Sequence, residues 1–484
     1  MSEVTKRLGN ILAIHTAILI GIGFLSLFYF LFGLPTHSLL DPLCWLTLTL
    51  ISWILFTWNR VTKQSFDLYT LFILSTVAFN CGQIILQVFG LNTEAGLLEG
   101  RFSSKTLFET VLYIDFALVA IHFGALLRLR GIKKIFPAGS LKDAPPELFQ
   151  IGALLTILSI VPTLIVLKNL ISVVQSSGYF GLYERSDLVG ADNILTLISG
   201  LFVPGMLMLI AGSRKRPELR MGAEVGLILY ALTFMLLGRR GDGGEVLISY
   251  ALVRHYCIRP IPKKIILPAA LVVIGVIFPL MAMIRNVDLN SRADLDVMVK
   301  AFESIDNPMA TALSEMGGSM QSVSYTMELV PKYRPYDLGA SYFYSAFSVF
   351  PNLFWSLHPS IARGSPSIWL VKTVDPGIAR MGGGIGYSYI AETYLNFGWW
   401  AGPLLLVLIG YAVSALVRWS LFQADPAKIA IAASFFGNLI TFARADSQSV
   451  IRPLVWYSLL PYLAILVLQK IHRSRLEAPS ADKT

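Results

Sequence analysis

Charge is scarce in this chain. Of 484 residues only 14% are Asp, Glu, Lys or Arg, against 55% hydrophobic, and the mean hydropathy is +0.64. A water-soluble domain has no place to hide that much apolar surface, whereas a lipid-embedded chain has no need to. Cysteine is nearly absent. Cys44, Cys81 and Cys257 all stand in apolar segments, with no disulfide framework and no Cys/His metal spacing, so they read as small buried hydrophobes. The histidines are few and scattered, and His15 and His122 fall inside apolar runs where a packing role is expected. No Walker-type phosphate loop occurs anywhere, which argues against an ATP-driven pump.

What is abundant is apolar sequence in runs near 20 residues, the length that carries a helix across about 30 Å of hydrocarbon. Such runs lie at 8–33, 40–58, 68–90, 106–128, 150–168, 193–213, 222–238, 243–258, 265–284, 395–417, 427–443 and 450–469. The expected fold is therefore an all-α polytopic membrane protein of about 12 transmembrane helices. The first run has no small-residue cleavage site and many follow it, so it reads as a span and not as a removed signal peptide. The expected organisation is an N-terminal bundle (1–284), a large loop (285–394), C-terminal spans (395–469) and a tail (470–484).

A net charge of +9 does not imply nucleic acid as a partner, because the basic residues are not pooled. They cluster at Lys6–Arg7, Arg60/Lys63, Arg128/Arg130/Lys133/Lys134, Arg214/Lys215/Arg216, Arg254/Arg259/Lys263/Lys264 and Lys470/Arg473/Arg475. With the spans above, every cluster lands on one side of the bilayer. The positive-inside rule makes that side cytoplasmic, together with both termini. Segment 285–394 then faces outward with eight Lys/Arg against ten Asp/Glu, so it is no polybasic tail. It should hold an amphipathic helix near 296–330 and, at SYFYSAFSVFPNLFW (341–355), a helix lying on the membrane surface. DLD at 294–296 is read as a solvated helix face and not as a nucleotide-sugar metal motif.

Unusual polar residues gather on this same outer side. LLGRRGDGGE (236–245) sets Arg239 and Arg240 in a turn whose glycines, Gly238, Gly241, Gly243 and Gly244, allow a ligand to approach the backbone. Guanidinium forks suit phosphate. Arg285 and Arg292 follow at the outer end of one span, Arg380 precedes a glycine run, and TFARADSQSVIRP (441–453) brings Arg444, Asp446 and Arg452 into another outer turn. Ionisable groups at membrane depth usually mark a pathway or site. Arg239, Arg240, Arg285, Arg380, Arg444 and Arg452 together form a candidate cradle for a diphosphate.

The glycine run itself, GGGIGYSYIAETYLNFGWWAG (382–402), lacks the strand–turn–helix setting of a dinucleotide loop. With GRRG upstream and the FARADS turn downstream, it resembles the O-antigen polysaccharide polymerases of the Wzy type. The similarity in topology covers most of the chain, and the sharpest match is Gly384–Gly402.

That resemblance implies a GT-C-like glycosyltransferase of the bacterial inner membrane, active on the periplasmic face. It would join oligosaccharide repeat units carried on undecaprenyl diphosphate, moving the growing chain from its carrier onto a new lipid-linked unit. The glycosyl–diphosphate bond is already activated, so no nucleotide sugar, cofactor or metal is implied. The bilayer, a flippase and a chain-length regulator are the partners such chemistry brings into view. The residues fit it. Arg240 and Arg285 would act in catalysis by stabilising the leaving diphosphate, and Glu392 would be the base for the acceptor hydroxyl. Tyr387, Tyr389 and Tyr394 would stack on sugar rings. Asn396 would orient the sugar or the carboxylate, with His358 and Asp446 as further sugar-side residues. Two rival readings are an O-antigen ligase and a lipid-linked oligosaccharide flippase. A ligase should carry an outer-loop histidine signature, which is not evident around His358; a flippase should line a cavity through the bundle with polar residues.

Overall fold

The structure is a computed structural model that describes residues 3–92, 96–132, 142–184, 191–285, 287–292, 294–352 and 355–477. The expected basic residues Lys133 and Lys134 lie outside that set. The chain is 81% helical, with no strand among the described residues, so it is an all-α polytopic membrane protein. Eleven helices among the described residues are long and apolar enough to cross a membrane: Lys6–Phe32, Thr36–Thr62, Leu68–Val88, Ser104–Arg128, Pro146–Ser177, Ile194–Gly212, Pro217–Leu236, Lys263–Ile284, Tyr389–Gln423, Pro426–Arg444 and Gln448–Arg475. The twelfth expected span, 243–258, falls on a helix at Arg240–Val253. This helix carries Asp242 and Glu245 and packs against Pro217–Leu236 and Pro426–Thr441. Its polar groups are therefore turned into protein.

Side chains at the helix starts say why the chain turns where it does. Asp67, Ser103, Ser388 and Asp425 each accept a hydrogen bond from a backbone N–H of the following first turn. Pro426, which lacks an N–H of its own, stands at the first position of its helix.

Helix Ser104–Arg128 is the hub, buried over nearly all its length, and Tyr389–Ser420 runs along it. In lipid no hydrophobic force draws helices together, so close backbone approach through small residues has to do so. A Cβ on Gly124 would lie 1.9 Å from the Val407 carbonyl oxygen, and one on Gly410 would lie 1.9 Å from that of Ile121. On the hub's other side His122 is fully buried with both ring nitrogens engaged: Nε2 meets Thr57 Oγ1 at 2.8 Å and Nδ1 meets Tyr69 OH at 2.8 Å. His15 is equally enclosed, with Nε2 2.8 Å from Val119 O, and Trp53 Nε1 donating to its Nδ1 at 3.2 Å. Both histidines fill the packing role expected of them. The three cysteines are buried and free.

Segment 285–394 lies on this bundle. The single amphipathic helix expected near 296–330 is instead three: Leu295–Glu303, Pro308–Gly317 and Met320–Leu329. Asn307, whose side chain accepts from Ala310 N, and Pro308 start a new helix, and Gly317–Gly318 end it. The middle helix docks on Leu68–Val88 backbone to backbone, since a Cβ on Gly82 would lie 2.6 Å from Leu313 O and one on Gly317 would lie 2.6 Å from Gln83 N. The aromatic stretch forms a helix at Ala340–Phe347, with Phe343 62% exposed.

Candidate functional site

Helix Tyr389–Ser420 begins earlier than the expected span and is broken once, at Gly398 (φ 65°, ψ −159°). Only glycine adopts that backbone readily, and a Cβ there would also lie 2.9 Å from the Tyr336 ring. Near the break, the backbone carbonyls and the Asn396 side chain are taken up by the turn at 337–339. Asp337 N donates to Leu395 O (3.0 Å), Leu338 N to Asn396 O (3.1 Å) and Gly339 N to Asn396 Oδ1 (2.9 Å). The short helix 389–397 is thereby held against the start of Ala340–Phe347.

Glu392 sits at the centre of this junction, fully buried. Its Oε1 accepts from Ser341 Oγ and from Ser447 Oγ, both at 2.7 Å, and its Oε2 accepts from Ser447 N at 2.7 Å. One carboxylate thus joins three elements: its own helix, the aromatic helix and the turn after Arg444. Asn396, one turn on, donates from Nδ2 to Ser341 Oγ and to Glu392 O, each at 2.8 Å, so the two residues share a helical face as their spacing requires. The phenol of Tyr342 has no hydrogen-bond partner among the described residues, and that of Tyr387 has Thr326 near it. Burial first, and the neighbouring Glu392 second, push both well above the usual tyrosine range. Ser341 and Ser345 line a narrow crevice of about 10 Å³, room for roughly one water.

The arginines fall into separate places. Arg239 and Arg240 stand at the N-terminus of helix Arg240–Val253. Of the nearby glycines only Gly238 has a left-handed backbone (φ 90°); Gly241, Gly243 and Gly244 lie inside the helix, and a Cβ on Gly243 would lie 2.5 Å from Ala231 O. The expected open glycine turn is thus a single left-handed residue followed by a closely packed helix. Arg239 pairs with Asp242. Arg240 donates from Nη1 to Phe278 O (2.5 Å) and from Nη2 to Glu315. Arg285 Nη2 approaches the same Glu315 carboxylate at 3.8 Å, and its guanidinium lies 5.3 Å from the Tyr179 ring centroid. Arg292 is a clamp behind them, 2% exposed, donating to Val287 O, Leu236 O and Arg285 O at 2.6–2.9 Å. It caps the ends of two helices and fixes the backbone from which Arg285 projects.

The remaining candidates are placed differently. Arg444 lies against the glycine run: its carbonyl accepts from Tyr387 N at 3.0 Å, and a Cβ on Gly386 (φ 78°) would lie 3.4 Å from its Nε. Asp446, 5% exposed, accepts at Oδ2 from Ser367 N at 3.2 Å. Arg452 Nε is buried with no hydrogen-bond partner among the described residues. Arg380 is exposed and donates from Nε to Pro376 O at 3.3 Å. His358 caps helix Pro359–Arg363, with Nδ1 2.6 Å from Ser360 Oγ and Nε2 3.1 Å from Phe350 O. Tyr389 is fully buried, its ring stacked on Phe72 and Phe442 and its hydroxyl 2.9 Å from Thr76 Oγ1. Tyr394 packs edge-on to Tyr113 and Tyr336. Both rings are packed against other aromatic side chains.

Sequence reading passed over Glu315, Ser341 and Ser447, the partners that organise the candidates. They contact them across 75, 51 and 55 residues of chain, and no local pattern marks such pairs. Glu245, which accepts from Thr441 Oγ1, was passed over likewise. Among the described residues no group of three or more His, Cys, Asp or Glu is arranged to hold a metal ion.

The fold defines a multi-pass membrane protein, with a carboxylate–hydroxyl network at Glu392 and, separately, a pair of guanidinium forks on Glu315. The family model for the O-antigen polysaccharide polymerase Wzy matches residues 12–474. The chain belongs to that family, and is thus a polysaccharide polymerase of the O-antigen type. No curated protein and no solved structure matches it.

Proposed function

We propose that the protein polymerises oligosaccharide repeat units carried on undecaprenyl diphosphate, at the periplasmic face of the inner membrane, by moving the growing chain onto a new lipid-linked unit. The observation that carries this reading is the convergence of Arg240 and Arg285, from different helices, on one carboxylate of Glu315. Two forks that seat a carboxylate present the donors a phosphate takes. The helix N-terminus beneath Arg240 adds its partial positive charge. Three guanidinium groups (Arg239, Arg240, Arg285) are gathered here with Asp242 and Glu315 as their ion-pair partners.

In this reading the acceptor hydroxyl meets Ser341. A serine hydroxyl has one donor and two acceptor positions. Ser341 donates to Glu392 and accepts from Asn396, which leaves one acceptor position for the incoming sugar. As the acceptor oxygen bonds to the anomeric carbon of the growing chain, its proton passes to Ser341 and that of Ser341 to Glu392. The bond to the carrier diphosphate breaks with its electron pair, and the arginines hold the departing anion. Arg444 and Arg452 are assigned to the same anion, and the phenols of Tyr342 and Tyr387 to sugar hydroxyls.

The test is complementation of a polymerase-null strain that assembles the cognate repeat unit. Recovery of a ladder of surface polysaccharide is expected. Single-unit caps alone, at normal protein abundance, would count against the proposal, and long chains left on carrier lipid in a strain lacking this protein would indicate a ligase.

A further inference from the structure

We propose that the recess between Arg334, Asp337, Arg363 and Trp369 is a second oxyanion seat, distinct from the Arg240–Arg285 pair, and that it takes the phosphate head of a lipid-borne substrate. The inference rests on the polymerase reading: a reaction between two lipid-linked units brings two phosphate heads to one protein.

The recess measures about 350 Å³ and is lined by these four residues and Pro335. Asp337 is its floor, its side chain 5% exposed. Oδ1 accepts from Arg334 Nη2 at 2.8 Å and from Arg363 Nη2 at 3.0 Å, and Oδ2 accepts from Arg334 Nη2 at 2.9 Å. The Arg334 guanidinium is also stacked over Trp369, 4.3 Å from the ring centroid. Oδ1 also accepts from Arg334 Nε at 3.3 Å, so this oxygen is fully engaged and the carboxylate serves to aim two forks. The N–H groups of those forks that Asp337 does not use remain to be matched.

That lining discriminates between ligands. A neutral sugar hydroxyl both gives and takes hydrogen bonds, whereas an oxyanion only takes them. Here the side-chain donors have surplus capacity, whereas the one side-chain acceptor keeps a single open position, on Oδ2. Two guanidinium groups against one carboxylate leave a positive site. Close in sequence to the lining residues, Tyr333, Leu338 and Ile361 are 71%, 80% and 50% exposed. A charged seat beside exposed apolar side chains fits a phosphate attached to a lipid better than a free sugar acid. Asp337 and Arg363 also line the crevice that reaches Ser341 and Ser345, so a head bound here adjoins the Glu392 network.

The experiment titrates the purified full-length protein in nanodiscs with farnesyl diphosphate, inorganic pyrophosphate and glucuronic acid, and measures elongation of lipid-linked units in parallel. Arg363→Gln should weaken one class of diphosphate site about 10–100-fold, the loss expected for charge-assisted hydrogen bonds, and Arg363→Lys should restore only part because the fork is gone. Asp337→Asn removes the resident charge and should tighten diphosphate binding; a change in that direction cannot come from misfolding. Unchanged affinity and stoichiometry in both Arg363→Gln and Asp337→Asn would overturn the seat. Arginine-dependent binding of glucuronate but not of either diphosphate would overturn its assignment to a lipid phosphate. If the variants shift diphosphate binding while the wild type fails to extend lipid-linked units, the polymerase reading fails and the seat stands.

Discussion

Replacing Glu392 with Gln removes a basic group while nearly preserving shape, and the structure says what should follow. Each Glu392 oxygen accepts hydrogen bonds: Oε2 from Ser447 N, and Oε1 from the hydroxyls of Ser341 and Ser447. A glutamine has one oxygen to offer. It must keep that oxygen toward the Ser447 amide, because a backbone N–H cannot turn away, and present its amide nitrogen to two hydroxyls, which can rotate. One charged acceptor is lost and the serine protons must find other partners, at a cost of about 1.5–3 kcal/mol. A membrane bundle held by the glycine seam should tolerate that. Ala is harsher, since it leaves the Ser447 N–H buried without an acceptor and deletes all three charge-assisted bonds, so protein abundance should fall. Loss of general-base help lowers rate by about 10²–10⁴. Glu392→Gln should therefore be present near wild-type level and bind lipid-linked substrate, yet elongate it more slowly by that factor. The assay is elongation by purified protein, normalised to amount. Near-wild-type elongation by Glu392→Gln, with only Glu392→Ala depleted, would make this carboxylate a staple between helices and send the search for a base to Asp446.

Four further outcomes are expected. Arg240→Lys keeps charge but loses the fork that spans Phe278 O and Glu315, so elongation should drop at normal expression; full activity in the double Ala change at Arg239 and Arg240 would sink the cradle. Gly410→Leu forces a side chain onto the Ile121 carbonyl, where even a Cβ would lie at 1.9 Å. It should lower the thermal midpoint of the detergent-solubilised protein sharply, by a few kcal/mol in stability on the scale of overpacking, whereas Gly222→Leu, with nothing within 4 Å, should not. With arginines neutralising the leaving group, elongation should continue in excess EDTA; a strict need for magnesium or manganese would return attention to Asp288, Asp294 and Asp296. Cysteine placed at Gly241 or Leu338 should react with an impermeant thiol reagent from the periplasmic side, and labelling only after inner-membrane rupture would reverse the topology.

The fold was legible where physics is local. Runs of about 20 apolar residues predict spans directly, and eleven of the twelve coincide with helices long and apolar enough to cross a membrane. The exception, helix Arg240–Val253, is as apolar toward one end as its neighbours, but Asp242 pairs with Arg239 at the helix's own N-terminus and Glu245 meets Thr441 of another helix, which no periodicity announces. The break between Glu303 and Pro308 was written in Asn307–Pro308, yet an amphipathic pattern that runs through it masked the signal. At the site, Glu392 and Asn396 were legible because they share a helix face at four-residue spacing beside glycines and aromatics. Ser341 and Ser447 were not, because a serine is unremarkable until a distant carboxylate gives it a partner. Arg334 and Arg363 were hidden for the same reason: only the folded chain shows that both serve Asp337.

The central claim is that this chain alone joins lipid-diphosphate-linked repeat units. The most direct measurement supplies the purified protein in nanodiscs with undecaprenyl-diphosphate-linked repeat units and nothing else, neither nucleotide sugar nor ATP, and resolves the products by size. The account predicts a ladder that grows one repeat unit at a time, with undecaprenyl diphosphate released at each step. Absence of any product longer than the starting unit, with protein shown to be folded and substrate shown to be bound, would contradict it.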